Sequence, residues 1–220
     1  DDSMINDRIF PECVNGFTDS SGPIREATVK ALVHFVPRLK AKTVETRVVK
    51  LLTKLLQDPE PSIRTNAVIC CGRVSGHLPK ECANQALGSV LGAGLKDNFG
   101  PCRSASLHTL LATASVFTAE ELAGRLMPSV CQRLVDPDQG VSDAAFHVLT
   151  SLQEHLRGLV EERRSTQSAE VAAIHGGGQV PGVAVGGQGD AGQQGSWGSW
   201  AFSTVGNMVG QKIMGSMGPA

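Results

Sequence analysis

Four aspartates, Asp19, Asp58, Asp97 and Asp136, stand 39 residues apart each time. Five residues after each comes an apolar anchor: Ile24, Ile63, Cys102 and Val141. The residue after the anchor is Arg25, Arg64 and Arg103, then Ser142. Counted from the anchor, position +5 reads Val29, Val68, Leu107 and Phe146, and position +8 reads Leu32, Cys71, Leu110 and Leu149. Positions +3 and +4 are mostly small, as in Ala105/Ser106 and Ala144/Ala145. A register kept through four units without an insertion constrains the chain to an array of like units.

Each unit reads as two helices. The second opens in the turn after the aspartate and runs about 15 residues, with Ile63, Ala67, Cys70, Cys71 and Val74 at helical spacing. The first precedes the aspartate. In residues 43–57, Val44, Val48, Leu51, Leu52 and Leu55 form a one-sided stripe. Thr118 with Glu121 three residues on predicts a capping box. Pro11 and Pro128 occupy equivalent places in two first helices, where a missing N–H predicts a kink.

Helix pairs at this period, with D-x-x-x-x-[VI]-R opening the second helix, resemble HEAT repeats. The resemblance implies an all-α fold, an α-solenoid of about four HEAT-like pairs, each burying its apolar face on its neighbours. In HEAT arrays the arginine commonly meets an aspartate of a neighbouring repeat. Asp19, Arg25, Asp58, Arg64, Asp97, Arg103 and Asp136 are therefore expected to form a structural ladder. The aspartates are also placed to accept from free N–H groups at the start of the second helix.

Composition agrees. The chain has no tyrosine and only 4% aromatic residues, which suits a helical core of Leu, Val and Ala. A formal net charge of −1 offers no field for nucleic acid or an anionic membrane. No apolar run reaches the ~20 residues of a membrane-spanning helix. The six cysteines form no C-x-x-C pair, and no secretory signal is present, so reduced thiols in a cytoplasmic setting are expected. The first residues, "DDSMIND", lack an initiator methionine, and a fragment or processed product is expected.

The character changes after Arg164. Residues 166–220 hold 14 of the 25 glycines and three charged residues, Glu170, Asp190 and Lys212. The expected organisation is a solenoid over 1–164, a disordered Gly/Gln-rich linker over 165–195, a Trp-containing amphipathic segment over 196–214 and a disordered end over 215–220. Trp197, Trp200 and Phe202 are candidates for contact with a partner or a membrane surface, and folding back onto the last repeat is the alternative.

No catalytic constellation is present. The glycine clusters follow no strand, and H-E-x-x-H, G-x-S-x-G and kinase signatures are absent. Cys70 and Cys71 invite a metal or nucleophile reading. Adjacent helical residues point ~100° apart, so one ion cannot readily take both. In register, Cys71 replaces leucine and Cys70 stands with Ala31, Thr109 and Val148, so both read as core. His34, His77 and His108 are out of register and read as surface residues. Arg38, Lys40, Lys42, Arg47 and Lys50 read as a solvated face, with an anionic partner as the sharper alternative.

"IRTNAVICCGRV", after Asp58, resembles more than a generic HEAT unit. Together with "FGPCRSASLHTLLAT", "RLMPSVCQRLVDPDQGVSDAAF" and "SWGSWAFSTVGNMV", it is similar to the HEAT region of the Scy-like pseudokinases. That resemblance implies a non-catalytic, protein-binding scaffold in vesicle traffic, notably coat-associated Golgi-to-ER retrieval at cytosolic membrane surfaces. A role in tRNA export is attributed to some members. It also implies a kinase-like domain outside this chain, where any ATP would bind, so no cofactor is expected here. The second helices, which in HEAT arrays line the concave side, would contact protein partners such as vesicle coat components. The end "MGSMGPA" lacks the basic terminus by which some members bind the coat. The alternatives are a regulatory array of an active kinase and a membrane-surface module acting through the Trp segment. The sequence leaves the oligomeric state open.

Overall fold

A computed structural model describes the fold of residues 1–176 and the side chains of residues 1–171. Residues 177–220, which hold most of the expected linker and the segment with Trp197, Trp200 and Phe202, lie outside the described residues. The described residues are helical, with no strand among them. They form four helix pairs: α1 (residues 2–13) and α2 (Gly22–Phe35); α3 (residues 41–55) and α4 (Pro61–Val74); α5 (Lys80–Gly94) and α6 (Gly100–Ala112); α7 (residues 119–131) and α8 (Gln139–Gly176).

Proline starts three of the second helices. Pro23, Pro61 and Pro101 lie in the first turn, where no intrahelical N–H is needed. Thr118 and Glu121 cap α7 reciprocally, each side chain taking the other's backbone N–H.

Three first helices contain a wide π turn at one register: Ile5–Ile9, Val44–Val48 and Leu122–Leu126. In repeats 1 and 4 it precedes Pro11 and Pro128, but repeat 2 has Lys50 in the proline's place. Proline is therefore not required for the π turn, and register alone does not impose it, since Lys80–Gly94 in repeat 3 is a regular α-helix. Phe10, Val49 and Met127 donate their N–H to Ile5, Val44 and Leu122, five residues back. The two prolines follow a turn that has already left the ordinary ladder, which limits their disruption.

The second helices pack most extensively on one another, α2 on α4 and α4 on α6. Their buried positions are split by direction. Anchors Ile63, Cys102 and Val141 are buried to 1% exposure or less, but Ile24 in repeat 1 is 48% exposed. Conversely, Val29, Val68 and Leu107 at +5 are fully buried, whereas Phe146 in repeat 4 is 58% exposed. The expectation that every unit buries its anchor is thus corrected for Ile24, and Phe146 departs in the same way. The anchor faces the preceding repeat and the +5 residue faces the following one. Only the described repeat without that neighbour leaves the position open.

Within a repeat, the +4 residue meets the first helix. Where +4 carries a hydroxyl (Thr28 and Ser106), the residue twelve before it is glycine (Gly16 and Gly94). A Cβ on Gly16 would collide with Thr28, and one on Gly94 with Ser106. Where +4 is alanine (Ala67 and Ala145), the same place holds Leu55 and Arg133. The glycine thus occurs where the facing residue carries a hydroxyl, and a larger side chain occurs where it is alanine.

α8 does not stop at Arg164. Residues 165–175 contain neither glycine nor proline, and the helix runs to Gly176. The expected solenoid–linker boundary therefore falls inside a helix. Residues 161–171 are exposed, beyond the packed part of α8 that ends near Val160, with Arg163 reaching back to Glu120 at 2.6 Å.

Candidate functional site

The arginines and aspartates at the inter-repeat turns make one motif three times. Arg25 donates Nε and Nη2 to the carboxylate of Asp58 at 2.8 and 3.0 Å. Arg64 does the same to Asp97 at 2.7 and 2.9 Å, and Arg103 to Asp136 at 2.8 and 2.6 Å. Each Nη1 bonds the backbone carbonyl of the aspartate of its own repeat, Asp19, Asp58 or Asp97, at 2.7 to 2.8 Å. One guanidinium therefore reads its own turn and grips the next, with bidentate geometry that lysine cannot supply.

All four aspartates also accept the N–H two residues on, from Ser21, Glu60, Phe99 and Asp138. This tightens the turn ahead of each second helix. The carboxylate thus holds the turn, and the helix starts at a later residue. In the last repeat that residue is Asp138, which accepts from Val141 N–H. Asp19 has its turn bond alone. Ser142, in the arginine's place, donates to the Leu134 carbonyl, and Arg133 reaches Asp136 from the side at 3.2 Å.

Electrostatics follow from these bonds. The Arg64 guanidinium holds Asp97 below the usual carboxylate range against the cost of burial, and Arg103 does the same for Asp136. For Asp58, burial pushes upward most strongly, but the Arg25 bond and the Glu60 N–H together outweigh it. The three arginines and the aspartates they grip are committed to one another and to their turns, which makes the ladder a stacking device.

The thiols are equally occupied. Cys70 and Cys71 are 2% exposed, and burial pushes both up to about 12. Burial carries Cys102 to about 11. Such thiols are protonated at neutral pH and are neither nucleophiles nor ligands. No group of His, Cys, Asp and Glu among the described residues is arranged to hold a metal ion. His34, His77 and His108 are exposed and separate. The basic group at residues 38–50 is partly spent: Arg38 lies 3.6 Å from Asp2, Lys40 lies 3.2 Å from Asp7, and Arg47 stacks 5.7 Å over Phe10. No described helix is long and apolar enough to cross a membrane.

The exposed side of the second helices is open. Between α2 and α4 lies a groove of about 290 Å³ lined by Val29, Val33, Asn66 and Ile69, among others. Between α4 and α6 lies another of about 390 Å³, with Ala105, Ala112 and Thr109 in its wall. Ile69 and Arg73 border both. Asn66, polar where the other repeats have alanine, donates to Glu26 of the repeat before at 3.3 Å. Ser62 also donates to Glu26, at 3.1 Å, so this carboxylate is tied down beside the first groove. Sequence reasoning passed over Ile69 and Arg73. The signal was position +6, which holds Lys30, Ile69, His108 and His147: one apolar residue in a polar row.

Comparison with known proteins agrees with this architecture. Residues 22–74 match the HEAT-like repeat family. The Dictyostelium discoideum protein named "Probable inactive serine/threonine-protein kinase scy1" is 31% identical over 160 residues, 73% of this chain and 19% of that protein. The Schizosaccharomyces pombe "Protein kinase domain-containing protein ppk3" is 29% identical over 146 residues, 66% of this chain and 23% of that one. The chain thus spans about a fifth of the length of these relatives. The crystal structure of Cex1p superposes with a TM-score of 0.68 at 24% identity, over 73% of this chain and 31% of that one, and supports the fold. By its repeat register, its ladder and these relatives, the chain belongs to the Scy-like family of kinase-like proteins as a HEAT-repeat segment.

Proposed function

We propose that this segment is a non-catalytic protein-interaction scaffold within a longer kinase-like protein that acts in vesicle traffic between Golgi and ER. The observation that carries it is the division of labour among its polar groups. The ladder is consumed in stacking, Cys70, Cys71 and Cys102 are buried, and the second-helix face presents uncommitted side chains over two grooves. The Scy1 relative, named as probably inactive, supports a role by binding. Vesicle coat components are the proposed partners, and the setting is cytoplasmic, peripheral to Golgi membranes. Contact with membrane through Trp197, Trp200 and Phe202 would add to this from outside the described residues.

The test is replacement of the full-length protein in cells by a form lacking residues 1–164. Scaffolding predicts that retrieval of Golgi-to-ER cargo slows and that coat proteins no longer co-purify. Normal retrieval and unchanged co-purification would refute it. A second reading, a regulatory array for an active kinase, is favoured by the kinase domain in the fission yeast relative's name. Phosphotransfer by the full-length protein that changes on removal of the array would support that reading.

A further inference from the structure

The two grooves differ from three other hollows of the described residues, which are lined by Asp58 and Asp97, by Asp19 and Asp58, and by Asp7 and Glu12. The linings of the two grooves contain Lys30, Arg73 and His108 but no carboxylate. Glu26, the acid nearest in register, is held by Lys30, Ser62 and Asn66. Arg73 has no ion pair among the described residues and stands between the grooves, beside the half-exposed Ile69. A guanidinium left without a counter-charge, flanked by apolar hollows on a chain of net charge −1, is a local recognition element rather than part of a general field.

The grooves have a built floor. Gly72 faces Thr109 so closely that an added Cβ would come within 2.6 Å of its methyl group. The helices are pressed together there. At about 290 and 390 Å³, each groove suits one large side chain rather than a whole helix. Adjacent helices pack ~8–10 Å apart, which sets the distance between the hollows. An extended polyproline-II peptide presents residues i and i+3 on one side, ~9 Å apart.

We propose that this face binds an extended acidic peptide, with two apolar side chains three residues apart entering the grooves and an Asp or Glu between them pairing with Arg73. The inference rests on the scaffold reading and names the chemistry of its partner.

The experiment is selection of random dodecapeptides displayed on phage against the folded 220-residue chain, with counter-selection on Arg73→Glu. The expected winners carry an apolar-x-x-apolar pattern with a carboxylate inside it. Synthesised winners should bind Arg73→Glu and Ile69→Glu roughly tenfold more weakly, and Lys50→Glu on a first helix unchanged. Both groove residues are on the surface, and circular dichroism confirms that the variants fold. Winners without acids, uniformly apolar winners, acidic winners that ignore Arg73→Glu, or no winners at all would each overturn the proposal. Loss of cargo retrieval on deleting the array, together with any of those results, would leave the scaffold reading standing and remove only the acidic peptide.

Discussion

Arg103 and Asp136 close the most deeply buried link of the ladder, two hydrogen bonds at 2.8 and 2.6 Å across 33 residues of sequence, with the Asp136 side chain fully hidden from solvent. Removing the arginine leaves a buried carboxylate with only Arg133 for a charged partner. Arg103→Ala is expected to cost about 3 kcal/mol in urea unfolding, in line with other broken buried pairs. Arg103→Lys should recover only part of this, because an ammonium cannot make the paired bonds.

Acid should loosen the array through the same links. The carboxyls of Asp58, Asp97 and Asp136 sit below their ordinary value in the folded chain. The unfolded chain therefore takes up protons first as pH falls. Their stabilisation is complete above pH ~4 and is lost as pH drops through the folded values. Helicity followed by circular dichroism should fall below that point, and Arg64→Gln should move the midpoint to higher pH.

The Gly94–Ser106 contact predicts a compensating pair. Gly94→Ala places a methyl against the Ser106 hydroxyl and Val68, and should cost about 1–3 kcal/mol. Ser106→Ala frees the space, since Ala67 and Ala145 hold that position in repeats 2 and 4 without a glycine opposite. The double variant should regain most of the loss. Equal stability of the double and single variants would refute the volume argument.

Equivalent anchors should not be equivalent in energy. Ile63→Ala removes a side chain 1% exposed and should cost about 2–5 kcal/mol. Ile24→Ala, at 48% exposure, should change stability by less than ~0.5 kcal/mol in this chain. Comparable losses at the two sites would contradict the directional burial of the repeats.

Alkylation separates the cysteines. With thiols near 12, Cys70 and Cys71 should be thiolate in on the order of one molecule in ten thousand at pH 8, and behind a packed core. Cys131, which is exposed, should react quickly in the native protein, with Cys70 and Cys71 following only on denaturation. Mass spectrometry of native and urea-treated samples reads the order.

Much of this was legible because the fold is written four times. Any position could be compared with itself 39 residues away, and this turned Cys71 into a substitute for leucine and Arg64 into a stacking residue. Register has no view of neighbours, however. It treats Ile24 and Ile63 as alike, and only the presence of a preceding repeat separates them. The π turn was not legible, because repeat 2 makes it without a proline. Glycine-free sequence after Arg164 carried α8 past the change in composition. The second-helix grooves were hidden because they depend on volumes between helices, to which no single residue testifies.

The chemistry of each junction has one further consequence. Arg25, Arg64 and Arg103 all present the same grip to the same kind of aspartate. A duplicated 39-residue unit spliced between repeats 2 and 3 would find matching ends on both sides, so gene duplication can lengthen this array internally without inventing a contact. Repeat 4 carries a different chemistry at that place: the hydroxyl of Ser142 is given to Leu134 in its own repeat rather than to a neighbouring turn.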